Sequence, residues 1–139
     1  MAFKRILCAV DFSHDSLQAF RVAMEMARSH SGSLHLFHVI EGQPALSGEA
    51  VIAIVQKANK AMEGLVASAQ SSLDGLAFTT EVTSGRAFVE IVNRSREWRA
   101  DLIVLGSKGV ASLEEIIVGG TAEHVTKEAP CSVLVVRDR

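Results

Sequence analysis

The chain has 139 residues, 48% of them hydrophobic, and a formal net charge of −2. That length suits a single domain spanning residues 1–139, able to bury about two-thirds of the surface its unfolded chain exposes. The apolar content excludes a disordered chain, and the near-balanced charge without a basic stripe excludes a nucleic-acid-binding surface. No stretch is apolar for long enough to span a bilayer, and the apolar run before Asp11 is too short for a signal peptide. Cys8 and Cys131 lie beside apolar runs and form no CxxC pair, so small buried hydrophobes in a reducing, cytoplasmic setting are expected.

Taken in order, "RILCAV" (5–10) reads as a strand buried on both faces and ends in Asp11. Ser13 is the N-cap of a helix whose stripe is Leu17, Phe20, Met24 and Ala27, and Gly32 stops it. "SLHLFHVI" is a second buried strand, and the loop "EGQPALSG" follows. From Glu49 to about Ser72, apolar residues from Val51 to Leu73 recur with a period of about 3.6, giving one long helix. Ile52 and Ile54 widen its stripe, which reads as a deeper core or a second contact surface. "AFTTEVT" alternates, with Phe78, Thr80 and Val82 on one face and Thr79, Glu81 and Thr83 on the other. That half-polar pattern suits an edge strand. Phe88, Ile91, Val92 and Ser95 mark the next helix, to about Trp98; "DLIVL" is a buried strand, "TAEHVTKEA" a helix, and "CSVLVV" the last strand.

Strict strand–helix alternation predicts an α/β fold: a five-stranded parallel sheet with helices on both faces. Right-handed crossovers and the polar edge strand give the order 3-2-1-4-5. The winding reverses between strands one and four, and open α/β sheets bind ligands in the crevice beyond the strand ends at such a point.

The loops at that crevice begin at Asp11 and Gly106, so Asp11 should face the segment "GSKGVASLEEIIVGGTAEHV" (106–125). Gly106 and Gly109 would allow positive φ and bring main-chain N–H groups close to an anion. Gly119 and Gly120 open the final helix, where unpaired N–H groups suit phosphate. Two such nests facing one cavity suit a polyphosphate, with Asp11 accepting from a ribose hydroxyl. The alternative is that these glycines serve a long turn.

Other chemistries find no support. GxGxxG, GxxxxGK[ST] and GxSxG are absent. His35 and His38 point to opposite faces of a strand and make a poor metal pair. His14 and His124 read as solvated helix positions, and Ser13, His14 and Asp11 are too close in sequence to converge as a triad.

"AVDFS" at the first strand end, "HVI" ending the second, "SGRA" after the third and "GSKG…GGTAEHV…APCSVLVV" resemble the universal stress protein family over the whole chain. The nucleotide-binding branch carries G-x2-G-x9-G-[S/T], and Gly106, Gly109 and Gly119 match it. The resemblance implies a single Rossmann-like domain, of the adenine nucleotide alpha hydrolase-like type, that forms homodimers and binds ATP or AMP, with Mg²⁺ accompanying the nucleotide. It implies Ala9 and Asp11 near the ribose and base, and Val39 meeting adenine with its main chain. Leu105, Gly106, Ser107, Lys108 and Gly109 would wrap the phosphates, and Gly119, Gly120 and Thr121 would hold their far end. One position departs: Gly120 stands where the family has Ser or Thr, with Thr121 one place later. Nucleotide binding is expected to survive, weakened. The apolar last strand lies at a sheet edge, which a twofold partner pairing the same strand would cover. The expected function is that of a dimeric stress-response sensor or regulatory module that binds adenine nucleotide and is not an enzyme. The alternatives are a nucleotide-free dimeric interaction protein and a slow ATP hydrolase.

Overall fold

A computed structural model describes residues 2–41, 47–108 and 119–137. The five parallel strands are β1 (Arg5–Ala9), β2 (Ser33–Glu41), β3 (Ala77–Gly85), β4 (Leu102–Gly106) and β5 (Ser132–Val136). The helices are α1 (His14–Ser29), α2 (Gly48–Ser68), the single turn α3 (Gln70–Leu73), α4 (Ala87–Trp98) and α5 (Gly120–Glu128). The strand order is β3-β2-β1-β4-β5, as the alternation and the polar pattern of β3 predict.

β1 and β4 are apolar from Ile6 to Ala9 and from Leu102 to Leu105 because both their faces are covered. Ile6 and Cys8 of β1, with Val10 just beyond it, join Leu34 and Leu36 of β2 and Leu102 and Val104 of β4 under α1, Met62 of α2 and Leu73 of α3. Leu7 and Ala9 point the other way and meet Phe37, Ile103 and Leu105 under Ile91 and Val92 of α4 and Ala122 and Val125 of α5. The alternation of side chains along each strand thus divides one apolar run between two cores, each buried large side chain contributing about 1.5–3 kcal/mol. Cys8 is fully buried, and burial pushes its thiol well above the ordinary range. Cys131 is half-buried, its thiol raised first by burial and then by the charge of Asp101.

Two expectations for the long helix need correction. The helix breaks at Ala69, whose backbone (φ −109°, ψ 14°) leaves the helical region, so α2 ends at Ser68 and α3 follows. Ser68 Oγ bonds back to the Leu65 carbonyl at 2.8 Å, and the Arg28 guanidinium donates to the carbonyls of Ser72 and Asp74 beyond the break. These contacts let Leu73 turn into the first core. The second correction concerns the apolar start of α2. Val51, Ile52 and Val55 are 46%, 58% and 37% exposed, and of α2 only Ala58 and Met62 are buried. Ile52 therefore does not deepen the core, while Ile54 is partly buried.

Candidate functional site

The site lies where the chain leaves β1 and β4. Ala9 and Leu105 are paired in register on these strands, both buried. Ala9 also pairs with Phe37, so Val39, two residues further along β2, extends past the end of β1. At the turn out of β1, Phe12 adopts a left-handed φ of 67°. A bulky residue pays about 1–2 kcal/mol there. Its ring lies 4.7 Å from that of His38, whose Nδ1 donates to the Val10 carbonyl at 2.7 Å. Ser13 then caps α1, its Oγ accepting from the Ser16 amide at 3.3 Å.

Asp11 turns toward that cap. Its Oδ1 accepts from the Ser13 amide at 3.0 Å and from Ser13 Oγ at 2.5 Å. It reaches the glycine segment through Ser13, whose Oγ lies 3.3 Å from the Lys108 carbonyl. Among the described residues, Asp15 touches the segment directly. Its Oδ2 accepts from Ser107 Oγ at 2.5 Å and from the Lys108 amide at 3.2 Å, and Asp15 and Ser107 are each only 3% exposed. The first turn of α1 therefore holds Lys108 by both its N–H and its C=O. Asp15 is thus a second carboxylate at the crevice, one the sequence analysis did not single out, because an acidic residue in the first turn of a helix reads as a surface charge placed for the helix dipole.

Gly106 serves close approach rather than left-handed backbone. The described glycines with positive φ are Gly75 and Gly85. A Cβ at Gly106 would fall 2.7 Å from both Asp15 C and Ser16 N, so glycine lets the first turn of α1 press against the end of β4. Gly109 lies outside the described residues.

Across the crevice, Gly119 is the N-cap of α5 and supplies no side-chain bond to the helix. Its own amide donates to the Ser107 carbonyl at 2.5 Å, which ties the start of α5 to the end of β4. Ser107 in turn donates its amide to Val136 of β5 at 2.9 Å. The first helical bond of α5 runs from Glu123 N to Gly119 O. The amides of Gly120, Thr121 and Ala122 therefore have no intrahelical acceptor and form the positive end of the helix dipole. Among the described residues beyond its chain neighbours and its own helix backbone, no atom lies within 4 Å of a Cβ built on Gly120. The structure thus brings Asp11, Ser107, Lys108 and Gly119 together through direct or one-step contacts, with Gly120 and Thr121 adjoining. Ala9, Leu105 and Val39 line the strand ends beneath.

The histidines fall where the pattern put them. His35 is buried with Nδ1 2.6 Å from Thr79 Oγ1 and Nε2 2.9 Å from Glu81 Oε1, and Arg94 holds the other Glu81 oxygen at 2.6 Å. His38 faces the opposite core. His14 and His124 are exposed, and the His124 ring stacks on Phe88 at 4.5 Å. Among the described residues no group of three or more His, Cys, Asp or Glu side chains is placed to hold a metal, and no helix is long and apolar enough to cross a membrane.

The sequence model of the universal stress protein family matches residues 2–137. The chain belongs to this family. A universal stress protein of Methanocaldococcus jannaschii is 31% identical over 97% of this chain and 82% of its own. Among solved structures, universal stress protein UspA of Lactobacillus plantarum superposes with a TM-score of 0.87 at 28% identity, covering 99% of each chain. A universal stress protein of Archaeoglobus fulgidus, solved in complex with dAMP, shares the fold at 22% identity and a TM-score of 0.73, over 98% of this chain and 99% of that one.

Proposed function

We propose that this universal stress protein is a binding module for an adenine nucleotide, ATP or AMP, with Mg²⁺ accompanying the polyphosphate form. The observation that carries this reading is the uncapped start of α5. Three main-chain N–H groups, at Gly120, Thr121 and Ala122, precede the first intrahelical bond, and the N-cap Gly119 supplies no side-chain acceptor for them. Anionic groups favour that position by charge and by hydrogen bonding. Ala9, Asp11 and Val39 would receive the ribose and base at the strand ends, and Leu105 to Gly109 with Gly119 to Thr121 would flank the phosphoryl end. The Archaeoglobus relative carries its dAMP on the same fold.

Binding rather than turnover is the role proposed. Asp11 and Asp15 both accept hydrogen bonds from neighbouring main-chain and hydroxyl donors, which ill suits either to positioning an attacking water. The role proposed with it is that of a cytoplasmic sensor or regulatory module. The outer edge of β5 bears the half-buried Val133, Leu134, Val135 and Val136. Antiparallel pairing with the same strand of a second copy would cover it, so the protein is proposed to act as a homodimer. Mass spectrometry of small molecules released from the purified protein is the direct test, with an adenine nucleotide expected. Calorimetry that detects no heat with millimolar ATP or AMP would refute the proposal. In that event the nucleotide-free dimer is the better reading, which the internal bonding of the Lys108 and Gly119 amides already favours as second choice.

A further inference from the structure

Outside the crevice, a relay of polar side chains lies between β2, β3 and α4. In register, His35 of β2 stands beside Thr79 of β3. Glu81, two residues further along β3, projects to the same face as Thr79. His35 thus bridges a hydroxyl and a carboxylate, with Nδ1 2.6 Å from Thr79 Oγ1 and Nε2 2.9 Å from Glu81 Oε1. Arg94 of α4 donates to Glu81 Oε2 at 2.6 Å and fixes the carboxylate through its other oxygen. Arg94 also bonds Glu97 at 2.9 Å, so the relay is anchored along α4.

The chemistry of the groups places the hydrogens. A carboxylate held by a guanidinium only accepts, so His35 Nε2 carries a hydrogen toward Glu81. The neutral ring then has its lone pair at Nδ1, and Thr79 Oγ1 donates to it. A hydroxyl bonded to an imidazole that a third group orients is the arrangement that activates an oxygen nucleophile. Exposure divides the groups in the same sense. Thr79 is exposed on the edge strand, whereas His35 is 7% exposed and lies against the rings of Trp98 and Phe37, at 5.4 and 6.0 Å. The neighbouring Thr80 is also exposed but projects to the opposite face, away from His35. No other described strand pairs with the outer edge of β3, where alternate main-chain N–H groups face outward and suit the oxygen of an incoming carbonyl.

We propose that Thr79 is a nucleophile that accepts an acyl group from an activated ester or thioester, with His35 as its general base and Glu81 as a positioning residue. Thr79 Oγ1 bonds to the acyl carbon as the donor's C–O or C–S bond breaks. The hydroxyl proton passes to His35 Nδ1. The leaving group departs with the bonding electron pair and takes up that proton, which returns His35 to its neutral form. The products are an O-acyl threonine on the edge strand and a free alcohol or thiol. Glu81 holds the ring with Nδ1 toward Thr79 and stabilises the imidazolium while it exists. This site is separate from the crevice and does not depend on the nucleotide-binding reading.

Treating the folded protein with p-nitrophenyl acetate and locating the acetyl groups by peptide mass spectrometry tests the proposal. Thr79 should be acetylated at least about tenfold faster than Thr80, which shares its exposure but not its contact with His35. Thr79→Ser keeps the hydroxyl and should keep the reaction at that position. Glu81→Gln keeps an acceptor for His35 but removes the charge that steadies the imidazolium. It should slow acetylation of Thr79 at least about tenfold and leave Thr80 unchanged, and His35→Ala should bring Thr79 down to the rate of Thr80. Equal rates at Thr79 and Thr80 in the wild-type protein overturn the proposal. So does a Glu81→Gln or His35→Ala protein in which Thr79 keeps its full advantage. Should neither variant fold, the wild-type comparison decides, since it needs no substitution.

Discussion

Replacing Gly106 with alanine should unsettle the site and the fold together, and the structure sets the size of the effect. The new Cβ would sit 2.7 Å from Asp15 C and Ser16 N and 2.8 Å from Asp15 Cβ, where ordinary contact begins at 3.4 Å. Two of the three obstructing atoms are main chain, so no rotamer change relieves the clash. Either the first turn of α1 or the end of β4 must retreat by about 0.7 Å, and overpacking of this kind costs about 1–3 kcal/mol. The same movement strains the Lys108–Asp15 bond, which at 3.2 Å has little length to spare. A hydrogen bond to a charged group contributes about 1.5–3 kcal/mol. The two losses share one displacement and do not simply add; about 3 kcal/mol is expected in all. Urea unfolding of wild type and Gly106→Ala, at unchanged m-value, measures it. Gly120→Ala is the control, since its Cβ meets open space and alanine is the better helix former, for an expected gain of up to about 1 kcal/mol. A Gly106→Ala protein within about 0.5 kcal/mol of wild type would show that glycine at 106 does not serve close approach.

Gly120→Ser restores the hydroxyl that the family pattern places there, into space that the structure leaves open; calorimetry should find adenine-nucleotide affinity raised about tenfold. Phe12→Gly relieves a left-handed bulky residue while losing the contact with His38. Its cost in thermal or urea unfolding should stay below about 2 kcal/mol, against about 3–5 kcal/mol for truncating an ordinary core phenylalanine. In the native protein a thiol reagent should label Cys131 slowly and Cys8 only on unfolding, because burial both shields Cys8 and raises its thiol; labelling of both at one rate in native buffer would contradict the packing of β1.

The sheet was legible because its rules act on pattern. Runs such as "RILCAV" and "DLIVL" have both faces covered, and the alternation of "AFTTEVT" could belong only to a strand with one wet face, which placed β3 at the edge and fixed the order. The end of α2 was not legible, because its apolar period continues through Ala69 to Leu73 while the break is made by backbone geometry and by Arg28 reaching across from α1. The exposure of Val51, Ile52 and Val55 escaped for a related reason. Periodicity says which face of a helix is apolar, not how far along that face a partner extends.

The candidate site divides along the same line. Gly119 at the start of α5 could be anticipated, since a helix start is a local property and glycine supplies no cap. Asp15 could not, because its meaning comes from residues 92 and 93 positions away in the chain, Ser107 and Lys108. One local fact did point to it. Gly106 has no positive φ to justify glycine, so its cause had to be a neighbour pressing on the Cα, and the topology offers only the element that follows β1. A glycine at a strand end that needs no unusual backbone therefore signals contact, and the residue it contacts is the one to test. Here that residue is Asp15, a buried carboxylate that ties the first turn of α1 to Ser107 and Lys108 at the end of β4.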